Sequence, residues 1–116
     1  MSEFDIPIFK KVYDLYKVFH SYRKTVPKQD RHTIWQRADT IILDLLEILI
    51  TAANLPKNHK IPFLEKASSK VTIIRILFRL SYETKVIDDR KYLTLQEHIN
   101  ETGRMLGGWI KASRAV

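Results

Sequence analysis

The sequence has no cysteine and few residues that break helices, with three glycines and four prolines among 116 residues. The absence of cysteine excludes disulfides and thiolate metal ligands. The most apolar run, IILDLLEILI at positions 41–50, contains two acidic residues and is too short to span a bilayer. The N-terminal segment MSEFDIPIFKK lacks the basic-then-apolar order of a signal peptide. We therefore expect a cytoplasmic protein without a membrane partner.

Hydrophobic residues make up 45% of the chain, which is enough for a folded core. The length of the chain predicts one domain over residues 1–116. Turn signals at VPKQD, NLPKNHKIP and VIDD divide it into four segments with helical i, i+3, i+4, i+7 apolar spacing. Short connections make successive helices antiparallel neighbours. The sequence therefore predicts an all-α, up-down antiparallel four-helix bundle, with helices at about 6–25, 30–54, 61–84 and 89–113.

Three residues mark expected helix starts. Asp30 is a candidate N-cap of the second helix, and Asp88 or Asp89 a candidate N-cap of the fourth. Pro62 falls in the first turn of the third helix, where proline is tolerated.

The second and third helices are more apolar than an isolated bundle requires. Residues 41–50 leave only a narrow polar stripe, and residues 71–80 leave a polar wedge of Thr72, Arg75 and Arg79. A helix that is apolar on nearly all sides is buried on nearly all sides. Since four helices cannot bury their own outer faces, we expect a homo-oligomer.

All three glycines fall in the segment GRMLGGWIK, at positions 103–111. On a helical wheel Gly103 and Gly107 share the apolar face of the fourth helix, where a GxxxG pair admits another helix backbone. That backbone could belong to the bundle itself or to a neighbouring subunit. Gly108 points the other way and marks a second contact or helix fraying. Trp109 lies on a flank suited to a subunit contact.

The chain shows no pattern typical of an enzyme. GRMLGG matches the start of a phosphate-binding loop, but Trp109 and Ile110 stand where lysine and a hydroxyl residue are needed. Asp44 and Glu47 share a helix face and are expected to pair with Arg75 and Arg79. No nucleophile, base and orienting group can be assembled. We expect no catalytic residue, cofactor or small-molecule substrate, and no metal, because the four histidines lie in separate segments: His20, His32, His59 and His98.

The formal charge of +7 favours a polyanionic partner such as nucleic acid. A solvated basic surface is the alternative for the first helix, where three lysines recur every seven residues. Arg75 and Arg79 are the only charges in a ten-residue apolar stretch and are expected to line an ion pair, a pore or a phosphate path. The candidate contacts to nucleic acid or a polymerase are Lys10, Lys17, Lys24, Arg75, Arg79, Arg104 and Lys111.

Three segments together resemble one known family. INETGRMLGGWIKAS at 99–113 is the most specific, and IPIFKKVYDLYK at 6–17 and DLLEILITA at 44–52 agree with it. The chain is similar over nearly its whole length to the accessory variability determinant (Avd) proteins of diversity-generating retroelements. Four-helix-bundle proteins encoded in intervening sequences of ribosomal RNA genes are more distant relatives.

The resemblance implies a four-helix protomer assembled as a basic, pentameric barrel. It also implies a non-enzymatic role in mutagenic reverse transcription, with the retroelement's reverse transcriptase and its template RNA, or the cDNA, as partners. The alternative function is a structural oligomer of the ribosomal intervening-sequence type that binds another RNA.

Overall fold

The computed structural model of the chain describes residues 2–115, and all regular secondary structure in that range is helical. This confirms the predicted all-α class with four main helices in one compact domain. Short helical turns at Glu3–Asp5, Arg23–Thr25, Lys28–Arg31 and Lys57–His59 flank or connect them. The four long helices are α1 (Pro7–Tyr22), α2 (Ile34–Ala53), α3 (Ile61–Glu83) and α4 (Asp89–Arg114).

Successive helices run antiparallel, because the residue numbers of contacting partners rise on one helix as they fall on the next. Each helix packs on the next in the chain, and α4 returns to pack against α1. The pairs that set this order are Tyr16–Asp39 and Phe19–Trp35 between α1 and α2, Asp44–Lys70 and Ala52–Lys60 between α2 and α3, and Arg75–Asn100 and Tyr82–Tyr92 between α3 and α4.

The start expected for the second helix is wrong. Asp30 lies inside the one-turn helix Lys28–Arg31, and α2 begins only at Ile34. Val26, which precedes the one-turn helix, is buried in the core, and the Arg31 Nε donates a hydrogen bond of 3.0 Å to the Val26 carbonyl. At the fourth helix Asp88 is the N-cap, since its carboxylate accepts a 2.9 Å hydrogen bond from the Lys91 backbone N–H.

The largest buried side chains form an aromatic stack at the end of the bundle that holds the α1–α2 and α3–α4 connections. The Phe19 and Trp35 rings are nearly parallel, with centroids 4.1 Å apart, and Phe78 lies 6.1 Å from Phe19. All three side chains are buried. Because α1, α2 and α3 each contribute one ring, the stack ties three helices together.

Helix α3 ends in a Schellman motif whose left-handed position is occupied by a lysine. Lys85 has φ of 63°, the Val86 N–H donates to the Ser81 carbonyl at 2.7 Å, and the Lys85 N–H donates to the Tyr82 carbonyl at 3.1 Å. Glycine is the usual residue here, because a β-carbon is strained at positive φ.

We predict that Lys85→Gly stabilises the protein by about 1 kcal/mol, since it removes the strain of a left-handed residue that has a β-carbon. Denaturant unfolding of the two proteins measures the difference. Thr84→Gly is the matched control and should destabilise, because Thr84 (φ −93°) is not left-handed. If Lys85→Gly were no more stable than the parent, the left-handed conformation of Lys85 would not be a source of strain.

Candidate nucleic-acid interface

One residue of the polar wedge of α3, Arg75, faces α4. The Arg75 side chain is half-buried between the two helices, and its Nε donates a 3.0 Å hydrogen bond to the Asn100 Oδ1 on α4. This bond fixes the plane of the guanidinium group and leaves its two terminal nitrogens to other partners.

Gly103 makes room for that guanidinium. A β-carbon at Gly103 would collide with the Arg75 Nη2, and would lie 3.3 Å from the Arg75 Cζ and 3.6 Å from the Val71 Cγ1. Close approach of a helix backbone of the same bundle to Gly103 is therefore wrong, because the atoms that lie nearest belong to side chains. Its role in a subunit contact stays a prediction. We call Arg75, Asn100 and Gly103 together the Arg75 seat.

Arg75 has no carboxylate within salt-bridge distance in the described part of the chain, whereas other candidate cations do. Arg79 pairs with Glu83 at 3.1 Å, Arg104 pairs with Glu101, and Lys10 pairs with Asp14 at 3.0 Å. Each of these pairs joins two residues of the same helix, three or four positions apart. An arginine held by a neutral amide keeps its full charge for a ligand.

The pairing expected for the acids of the second helix is wrong. Asp44 lies 4.0 Å from Lys70, and Arg75 and Arg79 make the contacts described above instead. The reason is the rotation of α3: Lys70 is on the side that faces α2, whereas Arg75 is on the side that faces α4.

The remaining candidate cations do not form one patch. Lys10 and Arg104 border a groove between α1 and α4 that also carries Asp14, Glu97 and Glu101. The Lys17 Nζ lies 5.7 Å from the centroid of the Tyr13 ring, Lys24 belongs to the turn after α1, and Lys111 is exposed near the end of α4.

Gly107, Gly108 and Trp109 differ from one another. No atom lies within 4 Å of a β-carbon built at Gly107 or Gly108, and both glycines are exposed. The prediction that Gly107 packs closely within the bundle is therefore wrong, while its role in a subunit contact stays a prediction. Trp109 is half-buried and lines a pocket together with Ile6 and Ile8, and the Lys60 Nζ lies 5.7 Å from the centroid of its ring system.

Asn100 is the residue of the candidate site that the sequence analysis does not predict. It precedes Gly103 by three residues, so the two lie on one face of α4. The signal that could have identified Asn100 is the combination of an amide and a glycine on one face of a helix. That face lies next to the helix that carries Arg75.

No group of three or more His, Asp or Glu side chains within residues 2–115 is placed to hold a metal ion. In the same range none of the helices has both the length and the apolar character needed to cross a membrane.

The model of a family described as bAvd-like matches residues 7–113, which cover all four long helices almost completely. No curated protein matches the chain.

Proposed function

The chain belongs to the bAvd-like family, and on this premise we propose that it is a non-enzymatic accessory protein of a diversity-generating retroelement. In this role it binds the reverse transcriptase of the element together with the template RNA or the cDNA, and it supports mutagenic reverse transcription.

The Arg75 seat is the observation that carries the nucleic-acid part of the proposal. Its guanidinium is oriented by Asn100, lies against a glycine and has no carboxylate partner within residues 2–115. Two free N–H-bearing nitrogens in a fixed plane match the oxygens of a phosphodiester. Phosphate contacts position a protein on a nucleic acid without reading its sequence, so the sequence of the template is left to the polymerase and to base pairing.

Assembly of several copies would place several Arg75 seats and their basic surroundings on one particle. We propose a homopentameric barrel, as expected of an Avd protein. Large apolar side chains that one protomer leaves exposed on α2 and α3 support assembly: Leu43, Ile73, Ile76 and Leu80. Five copies of a chain with a charge of +7 carry +35, and such a charge density attracts RNA and DNA strongly at low salt.

We predict that Arg75→Ala weakens binding of mixed-sequence RNA by about tenfold or more, since it removes a charged hydrogen bond to phosphate. Arg79→Ala is the matched control, because it removes the same charge one turn further along α3. Arg79 already pairs with Glu83, so its loss should weaken binding by no more than about threefold. Fluorescence anisotropy at low salt measures both. Equal losses in the two variants would contradict a special role of the seat.

Gly103→Ala tests the same seat without removing any charge. Its β-carbon displaces the guanidinium, while alanine favours a helix by about 1 kcal/mol relative to glycine. The variant should melt no lower than the parent and yet bind RNA as weakly as Arg75→Ala. Gly107→Ala gains the same helix propensity in open space and should bind like the parent. Parental RNA affinity in Gly103→Ala would contradict the proposal.

A further inference from the structure

An apolar groove with aromatic walls lies between α1 and α2. It is lined by six residues: Phe4, Phe9, Tyr13, Tyr16, Lys17 and Leu46. The ring of Phe4 forms one wall, and its centroid lies 5.5 Å from that of Phe9 and 5.0 Å from that of Tyr13. Phe4 is nevertheless 53% exposed. The groove therefore presents part of an aromatic surface to solvent.

The rings of the groove are held in place by polar contacts. The turn that carries Phe4 is closed by a capping box between Ser2 and Asp5. The Tyr16 hydroxyl donates a 2.8 Å hydrogen bond to Asp39 on α2. Burial and the bond to Asp39 raise the pKa of Tyr16 to about 12, so the hydroxyl stays protonated at neutral pH. A groove that is ordered in this way before binding loses little entropy when a ligand enters it.

Lys17 places a positive charge at the edge of the groove. Its side chain is exposed, and its Nζ lies 5.7 Å from the centroid of the Tyr13 ring. No carboxylate of residues 2–115 lies within salt-bridge distance of Lys17, whereas Lys10 on the same helix pairs with Asp14. The Lys17 ammonium is therefore open to an anion. We call Phe4, Tyr13 and Lys17 together the aromatic shelf.

We propose that the aromatic shelf binds an unstacked base of single-stranded RNA. The base packs against the rings of Phe4 and Tyr13, and the Lys17 ammonium contacts a phosphate next to that base. Proteins that hold single strands combine aromatic stacking with cations that follow the backbone, and a nucleotide offers a flat ring and a phosphate in one unit. The net charge of +7 favours such a polyanion as the occupant of the groove.

The proposal rests on the RNA-binding part of the proposed function and adds the form of RNA that is bound. The shelf lies between α1 and α2, whereas the Arg75 seat lies between α3 and α4, on the opposite side of the bundle. The seat contacts phosphate, which single strands and duplexes both carry. The shelf needs a base that is free of a duplex stack. Loss of the shelf should therefore weaken the binding of single strands alone.

Two substitutions of Phe4 test the shelf by fluorescence anisotropy with mixed-sequence, single-stranded RNA. Phe4→Leu keeps an apolar side chain but loses the ring, and it should weaken binding by about fivefold or more. Phe4→Trp keeps a ring and should bind like the parent. An abasic strand of the same length and a duplex RNA should each bind the three proteins with equal affinity.

Leu93→Ala is the control for loss of an exposed apolar side chain elsewhere, because Leu93 is 61% exposed on α4. It should bind the single strand like the parent. Thermal unfolding checks that each variant is folded.

Photocross-linking of a thiouridine-containing single strand tests the unaltered protein. Trypsin separates Phe4 from Tyr13, since lysines follow each of them at positions 10, 11 and 17. We expect RNA adducts on residues 1–10, on residues 12–17 or on both. Adducts confined to other peptides, or no adduct, would overturn the proposal.

Equal affinity of Phe4→Leu and Phe4→Trp for the single strand, with a parent that binds RNA, would overturn the shelf and leave the proposed function in place. A smaller native mass of Phe4→Leu, or weaker binding to the reverse transcriptase at unchanged RNA affinity, would show that the groove holds protein and would overturn the shelf as well. A parent that binds neither single-stranded nor duplex RNA would overturn both the shelf and the nucleic-acid part of the proposed function.

Discussion

Raising monovalent salt from about 50 to about 200 mM should weaken the binding of single-stranded, mixed-sequence RNA by about 300- to 16,000-fold if each complex neutralises about six to ten phosphates. The physical reason is release of counterions from the RNA when Lys and Arg replace them. The protein supplies the required cations in excess, since each chain holds twenty Lys and Arg against thirteen Asp and Glu.

The measurement is a salt titration of RNA affinity, plotted as the logarithm of the binding constant against the logarithm of the salt concentration. A straight line with a slope of about −0.7 for each phosphate neutralised on single-stranded RNA is expected. RNAs of equal length and different sequence should give the same line. An affinity that hardly changes with salt, or a strong preference for one short sequence in the absence of the polymerase, would contradict phosphate-based binding.

Phe19→Ala should destabilise the protomer by about 3–5 kcal/mol, the usual loss when a buried aromatic is truncated. Phe19 stacks on Trp35 and also contacts Phe78, so the cavity would open between α1, α2 and α3. Since a small domain is stable by only about 5–15 kcal/mol, the melting temperature should fall by many degrees.

Denaturant unfolding of the Phe19→Ala variant measures this loss, with Leu93→Ala as the control. Leu93 is 61% exposed, and its truncation should change stability by no more than about 0.5 kcal/mol. A loss below about 1 kcal/mol for Phe19→Ala would mean that the aromatic stack does not join the three helices.

The fold could be read from apolar spacing, because burial of one face imposes a 3.6-residue period on each helix. The same reasoning identified excess apolar surface on the second and third helices, and Ile76 and Leu80 are indeed exposed in the protomer. Apolar spacing could not identify the apolar groove between α1 and α2. One of its walls is Phe4, which lies in a turn before α1 and reaches Tyr13 only through tertiary folding.

The partners of charged side chains were the least predictable feature. A helical wheel shows which residues share a face, but it does not show which neighbouring helix that face meets. The wheel therefore predicts that Arg75 pairs with the acids of α2, whereas in the structure it contacts Asn100 on α4. The same limit explains Gly103 and Gly107, which look equivalent on a wheel and differ in the bundle, where only Gly103 lies beside the Arg75 side chain.

We propose that this chain supports reverse transcription by binding the template through the Arg75 seat. The most direct test is cDNA synthesis by the reverse transcriptase of the same retroelement on its own template RNA. We predict efficient synthesis with the parent protein, little without it, and a clear reduction with Gly103→Ala but not with Gly107→Ala. Synthesis that is equally efficient with and without the protein would contradict this role.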